Sequence, residues 1–141
     1  MDGPLTPSSG WEWPTQAINF SSITDGTSNT LLIGEKWLYV DWYDERTTGD
    51  GSCIDNEGWC NGWDNDSVCF SSTGRNQPLP PIQDTQIGPA CGFVFGSAHA
   101  GGFQSVFCDG SVHFLQYDIN IATWVNLCSR NDGQEVDSRE F

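Results

Sequence analysis

The chain has 141 residues, 19 acidic and 5 basic side chains, and a formal net charge of −14. Such an excess of carboxylate repels nucleic-acid phosphates and anionic membrane surfaces, so neither is expected as a partner. With 13% aromatic residues, seven Trp among them, and only 17% charged residues, the composition excludes a disordered acidic tail, while 16 Gly and 7 Pro predict many turns and little helix.

Residues 1–20 read as an extended arm. Pro4, Pro7 and Pro14 exclude a continuous helix there, and Trp11 and Trp13, two apart, share one face of a strand. Such an arm is expected to dock on its own domain or on a neighbouring subunit, and residues 21–141 form one globular domain. No stretch has the ~18–20 apolar residues of a membrane helix, and no basic-then-apolar export signal opens the chain. Six cysteines, none in a Cys-x-x-Cys pair, predict disulfides rather than a zinc site: Cys53, Cys60, Cys69, Cys91, Cys108 and Cys128. Disulfides persist outside the cytoplasm. An export segment is therefore expected to precede this sequence.

Residues 21–30 are turn chemistry around Asp25-Gly26, and Leu31–Val40 is apolar enough for a mostly buried strand, interrupted by Glu35 and Lys36. Residues 41–90 are acidic and irregular. Within them Asp64, Asn65 and Asp66 offer three oxygen side chains in a row near Asp55, Asn56 and Glu57, a donor set that suits calcium. The competing reading is an Asx turn on a solvated acidic face. Asn19-Phe20-Ser21 and Asn65-Asp66-Ser67 are N-glycosylation sequons by pattern.

Residues 91–116 predict a three-stranded antiparallel meander. Cys91–Gly96 and Phe103–Cys108 flank the loop Ser97–Gly102, and Asp109-Gly110 reads as a two-residue hairpin turn into Ser111–Gln116. Gly96 opposite Phe103 would set Cys91 opposite Cys108, which makes that pair the expected bridge. Val94, Phe103, Phe107, Val112 and Phe114 would share one face; Phe93, Phe95, Val106, His113 and Leu115 the other, with His113 opposite Val106. Both faces being apolar, the sheet is expected to be covered on both sides. Residues 118–129 allow a short helix capped by Asp118 or Asn120, with Ile121, Trp124, Val125 and Cys128 inward, before a polar end. The expected fold is α+β and β-rich, with long disulfide-stapled loops.

His99 stands among small residues, where it is either an acid-base or metal histidine or a loop residue hydrogen-bonded to Asp109. No nucleophile motif, zinc-protease motif or phosphate loop accompanies it.

Four blocks occur in order: Ile23-Thr-Asp-Gly-Thr-Ser-Asn-Thr30 leading to Gly34-Glu35; Gly62-Trp-Asp-Asn-Asp66; Phe95-Gly-Ser-Ala-His99, then nine residues and Asp109-Gly110; and Asn131-Asp-Gly-Gln134. Together they resemble the prepilin-type, processing-associated family marked by His, nine residues and Asp-Gly, pilin-like bacterial surface proteins of unassigned function. The resemblance implies a pseudopilin-like globular part, in which Asp25, Gly26, Asn29, Glu35, His99, Asp109 and Gly110 are the family-motif positions. The N-terminal apolar helix and cleavage motif of that family are missing from this sequence.

These readings converge on a secreted structural protein, not an enzyme, located at the bacterial cell surface or outside it. It would be the subunit of an extracellular filament or matrix whose partners are copies of itself. A calcium-dependent module binding carbohydrate or surfaces is the alternative, and a hydrolase using His99 and Asp109 a third.

Overall fold

The computed structural model describes residues 18–40, 43, 67–72, 77–85 and 93–141 of the protein. Gly26, at φ 98°, turns the chain into a short 3-10 turn (Thr27–Asn29), and Thr30 Oγ1 donates to the Gly26 carbonyl. The chain then enters β1 (Leu31–Gly34). Two residues of parallel ladder follow much later, β2 (Ile82–Gln83) beside β3 (Gly96–Ser97). β4 (Gly102–Phe107) and β5 (Val112–Gln116) form a hairpin. The main sheet has the order β1-β4-β5, antiparallel throughout. One helix, α1 (Ile121–Leu127), is capped by Asn120, whose Oδ1 accepts from Ala122 N at 2.8 Å and Thr123 N at 3.4 Å. The described part is thus α+β and β-rich, with a short C-terminal helix.

The strand pairing differs from the expected meander. The strand beside β4 is β1, with Leu31 opposite Phe107, rather than residues 91–96. Residues 94–97 instead run between the stretch 35–37 and β2. Trp37 N donates to the Val94 carbonyl and Gly96 N to the Glu35 carbonyl, while Ile82 N donates to the Phe95 carbonyl. The register that set Cys91 opposite Cys108 therefore does not exist. Cys91 lies outside the described residues, and Cys108 sits in the turn after β4.

That turn is one residue longer than expected. Phe107 N donates to the Ser111 carbonyl and Gly110 N to the Phe107 carbonyl, so the loop is Cys108-Asp109-Gly110, with Gly110 at φ 86°. This is the three-residue hairpin loop ending in a left-handed glycine. A slip of one residue exchanges the faces of a strand. Phe103, Ser105 and Phe107 of β4 accordingly share the core face with His113 and Leu115, because Ser105 lies opposite His113 and Phe103 opposite Leu115. Val112 and Phe114 point outward at 64% and 44% exposure. On β1 the register slips between Leu31 and Ile33, which turns Ile33 outward too, opposite Val106. The sheet is covered on one face only among the described residues. At the open end of the hairpin Gly102 packs so close that a Cβ there would meet the Leu115 carbonyl oxygen at 2.0 Å.

The core under the sheet holds Leu31, Phe95, Phe103, Phe107, Leu115, Trp124, Leu127 and Val136. Trp124 is fully buried, edge-on to Phe95 and Phe103 with centroids 5.2 and 5.8 Å away, and its Nε1 donates to the Leu79 carbonyl at 2.7 Å. The buried face of α1 is Thr123, Trp124 and Leu127; Ile121, expected inside, is 41% exposed, and Cys128 is the C-cap. The polar tail also docks. Phe141 stacks on Phe107 at 5.2 Å, and Thr123 Oγ1 donates to Glu140 Oε2 at 2.6 Å. A second cluster joins Trp37 and Val94 to Tyr39, Leu79 and Ile82.

Candidate functional site

Asp25 is buried and holds two distant parts of the chain together. Its Oδ2 accepts from Asp132 N at 2.8 Å and its Oδ1 from Gly133 N at 2.9 Å, while Asp25 N donates to the Arg130 carbonyl. Asn29 Nδ2 donates back to the Asp25 carbonyl at 3.1 Å. The first and fourth sequence blocks, more than a hundred residues apart, are therefore one unit. A carboxylate between two backbone N–H groups is a charge-assisted clamp.

Glu35 and His99 meet at the start of β4. Glu35 Oε2 accepts from Gln104 N at 2.7 Å, and His99 Nε2 lies 3.9 Å from Glu35 Oε1. The His99 loop is fixed from beneath by Ser97, whose Oγ donates to the Gly102 carbonyl at 2.9 Å and accepts from His99 N at 3.1 Å. Tyr117 completes this anchor: its hydroxyl accepts from Ser97 N and donates to the Ser97 carbonyl, both at 3.1 Å. Beside it lies an open groove of about 400 Å³ lined by Glu35, Lys36, Leu38, Tyr43, Asp84, Ser97 and Ala98. Asp84 is engaged at both oxygens, by Leu38 N at 2.9 Å and the Tyr43 hydroxyl at 2.5 Å. Desolvation of that hydroxyl, its hydrogen bond to Asp84 and the Asp84 charge push the Tyr43 phenol up to about 12. Glu35, on the groove wall, thus has one carboxylate oxygen on the β4 backbone and the other near the exposed His99 imidazole, which is not itself part of the lining.

Asp109 is not the partner of His99. The two stand at opposite ends of β4, whose six residues span about 17 Å. Asp109 Oδ1 accepts from Ser111 N at 2.9 Å and Ser111 Oγ at 2.6 Å, and these bonds hold its carboxyl below the usual range. His113 Nε2 lies 2.9 Å from Ser111 Oγ, and the ring packs on Phe107 at 4.6 Å. Opposite His113 on β4 is Ser105, not Val106. The turn docks on the first block, Cys108 N donating to the Thr30 carbonyl and Asp109 N to the Thr27 carbonyl.

Cys69, Cys108 and Cys128 are thiols in this structure. Burial pushes the Cys69 thiol up to about 12. It raises Cys128 as well, partly offset by a hydrogen bond to Ser71 and reinforced by neighbouring Cys69. Burial likewise raises Cys108, and the Asp109 charge adds to it. Because the thiolate is the reactive form, Cys69 in the reduced, folded protein should alkylate with iodoacetamide at pH 8 at least about 100-fold more slowly than in guanidinium. Timed labelling read by mass spectrometry checks this, and equal rates in the two states would refute it.

Asn19 is exposed, its Oδ1 accepting from Ser21 Oγ at 2.5 Å and Ser22 Oγ at 3.2 Å. Trp11, Trp13, Cys53, Cys60, Asp64, Asn65, Asp66 and Cys91 lie outside the described residues. No cluster of three or more His, Cys, Asp or Glu residues fit to hold a metal occurs among the described residues. No helix among the described residues is long and apolar enough to cross a membrane.

Against known families, residues 2–122 match the model of the family described as "Protein of unknown function (DUF1559)". The chain belongs to that family. No curated protein and no solved structure matches it. Within this DUF1559 chain, sequence reasoning missed Ser97 and Tyr117, whose pairing joins a loop to the end of β5. It also missed the clamp itself: Asp-Gly and Asn-Asp-Gly signal turns, but nothing local in either says that one turn binds the other.

Proposed function

We propose that this DUF1559 chain is a secreted, pilin-like structural subunit of an extracellular filament or surface matrix, assembling from copies of itself. The observation that carries this reading is where the motif side chains go. Asp25, Asn29, Glu35 and Asp109 all bond the protein's own backbone, and so act as fasteners of turns and strands. The separation of His99 from Asp109 weighs against the hydrolase alternative. The uncovered apolar row of the main sheet, Ile33, Val106, Val112 and Phe114, supports association, since apolar patches on soluble domains mark contact surfaces. The order of the four sequence blocks supports the pilin-like character. In this reading the arm carrying Trp11 and Trp13 contributes to subunit contacts.

Negative-stain microscopy of native, secreted material tests the proposal. Regular filaments or sheets are the expected result. Discrete monomers at every concentration reached would overturn it.

A further inference from the structure

β5 is an edge strand: the order β1-β4-β5 places no strand beyond it among the described residues. Phe107 N bonds the Ser111 carbonyl, so Ser111, His113 and Leu115 are the residues that exchange hydrogen bonds with β4. The alternate residues Val112 and Phe114 therefore aim their backbone N–H and C=O groups away from the sheet. Their side chains are also the exposed apolar ones, at 64% and 44%. An open edge with apolar side chains is a template for another strand.

We propose that this edge pairs with the same edge of a second copy, antiparallel about a two-fold axis at His113, so that Val112 of each chain lies opposite the partner's Phe114. The inference rests on the self-assembling reading above and names its surface. Three observations select this occupant and register. First, the pairing is self-complementary: both outward residues of one strand meet both of the other, giving four backbone hydrogen bonds and two Val–Phe cross-strand pairs. Second, an axis at Phe114 would set Val112 against the partner's Gln116, whose carbonyl already accepts from Ile119 N. Third, a chain of net charge −14 repels its copy over most of its surface, whereas β5 and the outward residues Ile33, Gln104 and Val106 carry no charge. The result is one six-stranded sheet with a continuous apolar face. A two-fold contact closes on itself, so a filament needs a second, different contact elsewhere on the subunit.

Two full-length variants test this. Val112→Lys with Phe114→Lys places charges on an exposed edge without touching the core, and should raise the dimer dissociation constant about 100-fold in sedimentation analysis. His113→Cys should form a symmetric disulfide, because directly opposed residues of a non-hydrogen-bonded pair have Cα atoms about 4.5 Å apart. Peptide mapping identifies that link among the natural cysteines. An unchanged dissociation constant in the double variant overturns the proposal. So does a dimer without the 113–113 link, the result expected if the neighbour's N-terminal arm, which has no cysteine, takes the edge. So does a wild-type chain that stays monomeric. Dimers that depend on β5 in material that never forms filaments would uphold this contact and remove the filament reading. Filaments that survive both variants unchanged would do the reverse.

Discussion

Trp124→Ala is expected to lose about 4 kcal/mol of stability, the range for truncating a large aromatic in a packed core. At this chain length that lowers the melting temperature by about 15 °C. The indole is fully buried and bridges three parts of the fold. It belongs to α1, it meets Phe95 and Phe103 edge-on, and its N–H reaches the carbonyl of Leu79 in the second cluster. Removing it opens a cavity and strands a carbonyl at once. Trp124→Phe shifts the balance between the two effects, because it loses the hydrogen bond but leaves a much smaller cavity than Ala does. That variant should lose about 1–2 kcal/mol. Urea unfolding of the two variants checks the pair, and a loss under 1 kcal/mol for Trp124→Ala would show that the helix is not part of the cooperative core.

Asp25→Ala should come next, at about 2 kcal/mol, because it removes a buried, charged acceptor that holds two backbone donors. The turn at Asp132-Gly133 would then have no partner on the first block. Asp25→Asn keeps the shape but turns one acceptor oxygen into an NH2 facing a backbone N–H, so it should rescue little. The diagnostic readout is local. Amide exchange at Asp132 and Gly133 should accelerate in both variants, beyond what the change in global stability accounts for. Wild-type exchange at these two amides would show that the clamp is held by other contacts.

The elements were largely legible in the sequence, and their partners were not. Asp-Gly after an apolar run marked the β4–β5 hairpin, and the 3.6-residue pattern ahead of Cys128 marked α1. The length of the hairpin loop was not legible, since Asp-Gly fits both a two-residue turn and the last two positions of a three-residue one. That single ambiguity exchanged the faces of β5 and hid the outward Val112 and Phe114. The neighbour of β4 was misassigned for a different reason. Residues 91–96 are the nearest strand-like run in sequence, while β1, some seventy residues away, carries no local sign of its mate. Of the candidate site, Glu35 and His99 were each singled out, but their meeting at the start of β4 depends on that same distant pairing.

The clamp from Asp25 to Asp132-Gly133 and the stacking of Phe141 on Phe107 mean that the two ends of the described chain close the same structure. A polypeptide made from its N-terminus onward therefore cannot finish any part of this core early. β1 emerges long before β4 exists, and the Phe141 ring can seal the sheet only after all the residues before it have been made. Contacts this far apart in sequence also slow folding, because the intervening chain must be ordered before they form. The core consequently stays open until Phe141 has been made and can stack on Phe107.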